Sequence, residues 1–126
     1  MRLLLDTNAF VWWIGDDARL GRSARTLIGD PDNDVFVSAA TAWEIAIKRA
    51  KGKLTFGDVA DALEENSFEP LPIEVAHGVA AGGLPPHHRD PFDRVLIAQA
   101  QHHGLAIVTA DGAFARYDVA LVPADR

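Results

Sequence analysis

Four acidic side chains lie where this sequence could assemble the chemistry of a divalent metal ion. Asp6 directly follows an apolar run of three leucines, and Asp111 comes shortly after a second apolar run. Glu44 and Asp93 lie near the starts of two predicted helices. Clustered carboxylates repel one another unless a hard cation lies among them, and Mg²⁺ and Mn²⁺ prefer oxygen ligands. If the fold brings the four acids together, the sequence predicts a metal site built from oxygen.

Three of these acids also have an ordinary structural interpretation. Glu44 precedes Lys48 by four residues, which is the spacing of an exposed ion pair on a helix. Asp90 and Asp93 occupy the N-cap and N3 positions of a predicted helix, so they could form a capping box. Asp111 lies before a glycine, a pair typical of turns and caps.

Asp6 has no such alternative. A carboxylate that ends a buried strand costs desolvation free energy unless it is paired or coordinated, and no basic residue is adjacent in the sequence. In open α/β sheets, ligands bind outside the carboxyl ends of the strands, which is where Asp6 and Asp111 both lie.

The amino-acid composition excludes several classes of protein and of active site. The 126 residues, 48% of them apolar, are typical of one globular domain over residues 1–126. The absence of cysteine excludes disulfides, thiol nucleophiles and thiolate metal sites. The net charge of −6 argues against a protein that coats nucleic acid, but it is compatible with a nuclease whose metal ions supply positive charge. No apolar run could span a membrane, and Asp6 interrupts the N-terminal one, so we expect a cytoplasmic protein.

Short, continuous apolar runs predict strands that are buried on both faces. Helical patterns between them predict an α/β fold with a central, mostly parallel sheet of four to five strands. The predicted strands cover residues 3–5, 35–37, 71–73 and 106–108, with a candidate fifth at 119–122. The predicted helices cover residues 8–14, 23–28, 40–51, 58–65, 74 to the glycines at 82–83, and 91–103.

The third predicted helix is amphipathic. Trp43, Ala46, Ile47 and Ala50 are spaced to form one apolar face, whereas Glu44 and two lysines line another.

Parts of the sequence allow two other functions and exclude a third. Asp6 could be the nucleophile of an aspartyl-phosphate phosphotransferase, but Asn8 stands where the second acid would be expected. Dinucleotide binding fails because no glycine-rich turn follows the first strand. A binding module is the third alternative, since Phe10, Trp12 and Trp13 give the first helix a large aromatic surface suited to a partner.

The five histidines are not expected to hold a metal ion. His102 and His103 lie in the last turn of a helix, where they complement its dipole, and His77 stands alone. His87 and His88 belong to a proline-rich loop that could contact RNA, and no pair is spaced as metal ligands on one face.

Four segments of the chain resemble, in order, the signature blocks of PIN-domain ribonucleases. They are LLDTN at residues 4–8, SAATAWEI at 38–45, DPFDRVLIA at 90–98 and VTAD at 108–111, with one acid in the matching place of each. The closest resemblance is to the VapC toxins of bacterial type II toxin–antitoxin systems, in the branch with WEIAIK and then GKL, here at 43–48 and 52–54. One departure is Asn8, where that branch often has histidine. The resemblance implies a three-layer fold with about seven helices around the sheet.

The resemblance also implies roles for individual residues. Asp6, Glu44, Asp93 and Asp111 would surround one or two Mg²⁺ ions, with Mn²⁺ as a substitute and Asp6 and Asp93 as the principal ligands. Asp93 is preferred to Asp90 because Asp90 is better explained as the helix cap. The side chains that would orient carboxylates or water are Thr7, Asn8 and Thr109.

The implied reaction is hydrolysis of an RNA phosphodiester bond by a metal-activated water, giving 3′-hydroxyl and 5′-phosphate ends. Either Glu44 or Asp111 could accept the proton from that water. RNA contacts are expected at Lys48, Arg89 and Arg94, and less so at Arg116.

The implied partners are a VapB-like antitoxin, a second copy in a homodimer, and a higher-order complex of both. An antitoxin helix is expected to pack on Phe10, Trp12 and Trp13 and to send a basic side chain to the acids. The alternatives are a PIN nuclease of RNA processing and a catalytically silent partner-binding module.

Overall fold

The computed structural model describes residues 1–126 and contains one sheet of five parallel strands. The strands are β1 (Arg2–Leu5), β2 (Asp34–Ser38), β3 (Glu69–Leu71), β4 (Ala106–Thr109) and β5 (Leu121–Pro123). Their spatial order is β3-β2-β1-β4-β5. The chain therefore builds outward from β1 through β2 and β3 and then returns to the other side of β1 for β4 and β5. The strand order reverses between β1 and β4, and such a point is where α/β sheets bind ligands.

Six α-helices and one 3₁₀ helix surround this sheet. The α-helices are α1 (Thr7–Ile14), α2 (Arg22–Gly29), α3 (Ala39–Ala50), α4 (Val59–Glu65), α5 (Val75–Gly83) and α6 (Pro91–His103), and the 3₁₀ helix spans Gly112–Arg116. The predicted α/β fold with a parallel sheet of four to five strands is confirmed. No helix in the structure has both the length and the apolarity to cross a bilayer.

The leucines of β1 show why the strands are continuously apolar. Leu3 and Leu5 belong to one core cluster, with Phe10 of α1, whereas Leu4 points to the opposite cluster, with Ile97 of α6. All three leucines are fully buried. Helices thus cover both faces of the sheet, and β1, its central strand, needs apolar side chains at every position.

The two edge strands differ from their predicted positions. β3 ends at Leu71 instead of reaching Ile73, which is 40% exposed. Pro70 is tolerated in β3 because an edge strand leaves one row of N–H positions unused. The Pro72 carbonyl, just beyond the strand, accepts a hydrogen bond from the Gln99 side chain instead of extending the ladder. β5 similarly lies over Leu121–Pro123, shifted from the predicted 119–122.

Helix α3 turns its polar side inward. Its buried residues are Ala40, Thr41, Glu44 and Ile45, whereas Trp43 is 62% exposed and packs edge-on against Phe92. The apolar face that the spacing predicted is therefore mostly outside the core. Thr41 and Glu44 are buried because they find polar partners at the carboxyl end of the sheet, as described below.

His77, which was predicted to stand alone, lies against His102 and His103. The rings of His102 and His103 are each 5.1 Å from the ring of His77 on α5, centroid to centroid. His77 is buried, and its Nδ1 accepts the backbone N–H of Glu74, so its Nε2 carries the proton. Burial, together with repulsion from His103 and His102, lowers the pKa of His77 below its ordinary 6.5, and Glu74 opposes this shift.

This cluster predicts a loss of stability in acid. The unfolded chain protonates His77 near pH 6.5, but the folded protein resists protonation because the charged ring would lose the Glu74 hydrogen bond and be repelled by its neighbours. The free energy of unfolding should therefore fall as the pH drops below 6.5. In urea unfolding at pH 7.5 and pH 5, His77→Gln, which keeps an acceptor for the cap, should show a smaller fall than the wild type. Equal falls in both proteins would contradict this interpretation.

Candidate active site

The four predicted acids line one polar pocket of about 230 Å³ at the carboxyl edge of the sheet. No apolar residue lines it; its walls are Asp6, Thr7, Asn8, Glu44, Lys48, His88, Asp90, Asp93 and Asp111. The pocket lies where the strand order reverses, since Asp6 follows β1 and Asp111 follows β4. Five carboxylates thus share a small space with one lysine.

Asp6 is positioned by the end of β1 and the start of α1. Its Oδ1 caps α1 by accepting the N–H of Ala9 at 2.8 Å, and its Oδ2 accepts the Thr109 hydroxyl at 2.6 Å. Asp6 is only 5% exposed. Burial raises its pKa to about 6; the two hydrogen bonds oppose this shift, and the charges of Asp111 and Glu44 add to it.

Glu44 is held inside the pocket by neutral and charged partners. The Thr7 hydroxyl donates to its Oε1 at 2.7 Å, and Lys48 Nζ lies 2.7 Å from its Oε2. A further hydroxyl contact, 3.2 Å long, joins Thr7 to Thr41. The predicted pairing of Glu44 with Lys48 is confirmed, but the pair is not on an exposed face, because Glu44 is buried.

Asp90 and Asp93 have different roles at the start of α6. Asp90 Oδ1 accepts the N–H groups of Phe92 and Asp93, which confirms the N-cap. The capping box is not formed, because the Asp90 N–H donates to His88 Nδ1 and the Asp93 side chain faces the pocket. The pKa of Asp93 is raised to about 8, first by burial and then by the charges of Asp90, Asp6, Glu44 and Asp111.

Asp111 and His88 complete the pocket. Asp111 Oδ1 caps the 3₁₀ helix through the Ala113 N–H, which confirms its predicted capping role. Its Oδ2 lies 3.1 Å from His88 Nε2, and the same nitrogen is 2.9 Å from Asp93 Oδ2. His88 could not be predicted from the sequence beyond its place in the loop, because these contacts join it to residues five and 23 positions away.

Arg94 clamps the loop that carries His88. Its guanidinium donates to the backbone carbonyls of Ala81, Leu84, Pro85 and His88, at 2.8 to 3.1 Å. The guanidinium therefore holds the loop in place, and the predicted contact of Arg94 with RNA stays a prediction.

Replacing Arg94 should therefore reduce stability. Arg94→Ala is expected to lower the free energy of unfolding by about 2–4 kcal/mol, because four carbonyls lose a charged donor. Arg94→Lys should recover little, since an ammonium cannot match the planar fork. Urea unfolding measures both values. A variant that unfolds like the wild type but binds RNA more weakly would contradict this role.

The sequence matches the PIN domain over residues 3–120. The chain belongs to the PIN-domain family. PIN domains are nucleases that usually use divalent metals.

Solved structures share this PIN fold at low sequence identity. VapBC2 from Rickettsia felis, bound to a promoter DNA fragment, has a TM-score of 0.66 and 16% identity, covering 97% of this chain and 98% of that one. A toxin–antitoxin complex from Klebsiella pneumoniae has a TM-score of 0.65 and 20% identity over 96% of both chains. DNA-bound VapBC from Salmonella typhimurium has a TM-score of 0.62 and 19% identity over 97% of both chains. No protein of curated function matches the chain.

The donor set of this PIN domain fits a hard divalent cation. The pocket offers oxygens from five carboxylates beside a single lysine. One ligand atom from each of His88, Asp93 and Asp111 lies within 4.8 Å of the others. A cation among these groups would offset both the burial of the carboxylates, which is the main cause of the raised pKa values of Asp6 and Asp93, and the smaller repulsion between them.

The other residues that were predicted to contact RNA or an antitoxin differ in how exposed they are. Arg89 and Arg116 are exposed, and Lys48 is half-exposed beside Glu44. Phe10 is fully buried in the core, so it cannot contact an antitoxin as predicted.

The two tryptophans of α1 are only partly buried. Trp12 lies beneath the Arg19 guanidinium, and Trp13 Nε1 donates to Asn66 at 2.9 Å while its ring packs near Phe68. Both rings also pack against the core cluster that contains Phe10, so each tryptophan is only partly available to a partner.

Proposed function

We propose that this PIN domain is a Mg²⁺-dependent endoribonuclease and the toxin of a VapBC-like type II toxin–antitoxin system. The observation that carries the proposal is the convergence of Asp6, Glu44, Asp93 and Asp111 in one apolar-free pocket at the point where the strand order reverses. Mn²⁺ is the expected substitute for Mg²⁺.

Asp6 and Asp93 are the principal metal ligands in this proposal, with Glu44 and Asp111 beside them. A bound Mg²⁺ would supply Lewis-acid stabilisation of the phosphate and a water of lowered pKa. The Thr109 hydroxyl orients Asp6, and the Thr7 hydroxyl orients Glu44, so both carboxylates are fixed before RNA binds. Asn8 is exposed at the pocket wall, where its amide can orient water or phosphate.

Between the two proposed proton acceptors, Asp111 is the more accessible. Its side chain is 46% exposed, whereas that of Glu44 is 11% exposed and is ion-paired with Lys48. We therefore place the proton from the attacking water on Asp111. Lys48 and Arg89 lie close enough to the acids along the chain to contact the RNA backbone.

The proposed partners are a VapB-like antitoxin and a second copy of the chain. The solved VapBC and toxin–antitoxin complexes share this fold, which supports an antitoxin partner. Trp12 offers the antitoxin an aromatic contact, with Trp13 beside it. We expect a homodimer that assembles further with the antitoxin, acting in the cytoplasm.

RNA cleavage by the purified chain tests the proposed activity. A panel of structured RNAs is incubated with Mg²⁺, with EDTA, and with the Asp6→Asn variant. We expect Mg²⁺-dependent fragments with 5′-phosphate ends, and at least a 100-fold lower rate for the variant because a principal ligand loses its charge. Asp32→Asn, which changes an exposed carboxylate outside the pocket, is the matched control. Fragments that persist in EDTA, or with Asp6→Asn, would contradict the proposal.

Induced expression in a bacterial host separates a toxin from a nuclease of RNA processing. The wild type should arrest growth and Asp6→Asn should not. Metal-dependent cleavage in vitro without arrest would favour the processing nuclease.

A further inference from the structure

His88 bridges two acids of the pocket. Its Nε2 is 2.9 Å from Asp93 Oδ2 and 3.1 Å from Asp111 Oδ2, and these acids come from different elements, α6 and the cap of the 3₁₀ helix. We propose that His88 is a positioning residue that holds both carboxylates at the metal site, by donating its Nε2–H to Asp111 Oδ2 and by the close contact of Nε2 with Asp93 Oδ2. This inference rests on the proposed metal-dependent function.

The donor role follows from the other ring nitrogen. His88 Nδ1 accepts the backbone N–H of Asp90 at 3.2 Å, so the proton of the neutral ring is on Nε2. A metal ion would need a free lone pair on Nε2, which this tautomer does not offer. The ring therefore contributes a hydrogen-bond donor to the acids, and the carboxylates contribute the metal ligands.

Several contacts hold the His88 ring in one orientation. The His88 N–H donates to the Tyr117 hydroxyl at 2.8 Å, and that hydroxyl donates to the Pro85 carbonyl at 2.6 Å. Arg94 binds the His88 carbonyl, and the ring lies edge-on to Phe114 with centroids 5.5 Å apart. The side chain is only 12% exposed. A donor held in this way lowers the free-energy cost of keeping two carboxylates close together before a cation binds.

The contacts of His88 also determine which carboxylate oxygens of Asp93 and Asp111 remain available to a metal ion. Asp111 Oδ1 is committed to the Ala113 N–H, and the Oδ2 atoms of Asp93 and Asp111 face His88. Asp93 Oδ1 accepts no hydrogen bond, so this oxygen remains available to a metal ion. Without the donor, the two side chains could rotate apart under their mutual repulsion.

Two substitutions separate this bridge from the loop contact of the same ring. His88→Asn keeps an acceptor for the Asp90 N–H, as in an Asx turn, but is too short to reach the acids. His88→Gln places an amide donor near the position of Nε2. Mn²⁺ binding is measured by electron paramagnetic resonance titration of free Mn²⁺, which needs no RNA, and thermal unfolding in EDTA checks the fold of each variant.

We expect His88→Asn to bind Mn²⁺ about 10-fold or more weakly than the wild type, and His88→Gln to stay within about 3-fold of it. Wild-type affinity in His88→Asn would overturn the proposal. Equal weakening in both variants, with unchanged unfolding temperatures, would also overturn it, because the donor would not be the active feature.

The outcomes distinguish this inference from the proposed function. If the wild type binds Mn²⁺ with the expected ranking of variants but cleaves no RNA, the nuclease proposal fails and the role of His88 stands. If the wild type binds no Mn²⁺, both fail.

Discussion

Asp93→Asn is expected to abolish Mg²⁺-dependent RNA cleavage and yet to make the metal-free protein more stable at pH 8. The pKa of Asp93 rises from 3.8 to about 8, chiefly because the carboxyl is buried and then because Asp90 and other acids surround it. The stability that the neutral carboxyl contributes is complete below pH 3.8 and is lost as the pH rises through 8. Asparagine removes the charge and keeps an oxygen that can accept from His88.

Urea unfolding in EDTA measures this effect. At pH 8 the variant should gain roughly 2–4 kcal/mol over the wild type, with a much smaller gain at pH 4, where Asp93 is neutral in the folded protein and only about half ionised in the unfolded chain. Asp32→Asn, at an exposed carboxylate, should change neither stability nor cleavage. If Asp93→Asn changes the free energy of unfolding at pH 8 no more than Asp32→Asn does, the buried Asp93 carboxylate does not destabilise the folded protein and this prediction is wrong.

Divalent cations should stabilise the wild type strongly and release protons as they bind. Mn²⁺ at about 100 times its dissociation constant contributes about 2.7 kcal/mol, which for a domain of this size raises the unfolding temperature by roughly 10 °C. At pH 7 the cation displaces the proton of Asp93, because the pKa of that carboxyl is about 8 in the absence of metal.

Calorimetric titrations at pH 7 in two buffers of different ionisation enthalpy count the released protons. We expect close to one proton per Mn²⁺, and an affinity that falls about 5-fold between pH 8 and pH 7 and more steeply below pH 6, where Asp6 is also protonated. Asp93→Asn should show neither the thermal shift nor the proton release. A thermal shift of equal size in that variant would mean that Mn²⁺ binds elsewhere.

The sequence was sufficient for the parts of the fold that depend on local pattern. Continuous apolar runs such as that of β1 predicted a parallel sheet, and the carboxyl-end rule then placed Asp6 and Asp111 at one edge. The N-cap at Asp90 was also predictable, because proline and acids at fixed offsets mark helix starts.

The rest depended on contacts that are distant in sequence. Glu44 is buried because Thr7, from α1, and Lys48 satisfy its oxygens, so α3 rotates away from the face that its apolar spacing favours. His88 reaches Asp111 across 23 positions of the chain, and His77 meets His103 across 26. No periodicity encodes these pairings.

The location of bound Mn²⁺ in a crystal tests the central claim most directly. Crystals grown with MnCl₂ would be measured near the manganese absorption edge, where anomalous scattering marks the ion. We expect a peak in the pocket lined by Asp6, Glu44, Asp93 and Asp111, and no such peak in Asp6→Asn crystals. A peak confined to the His77, His102 and His103 cluster, or no peak at saturating Mn²⁺, would contradict it.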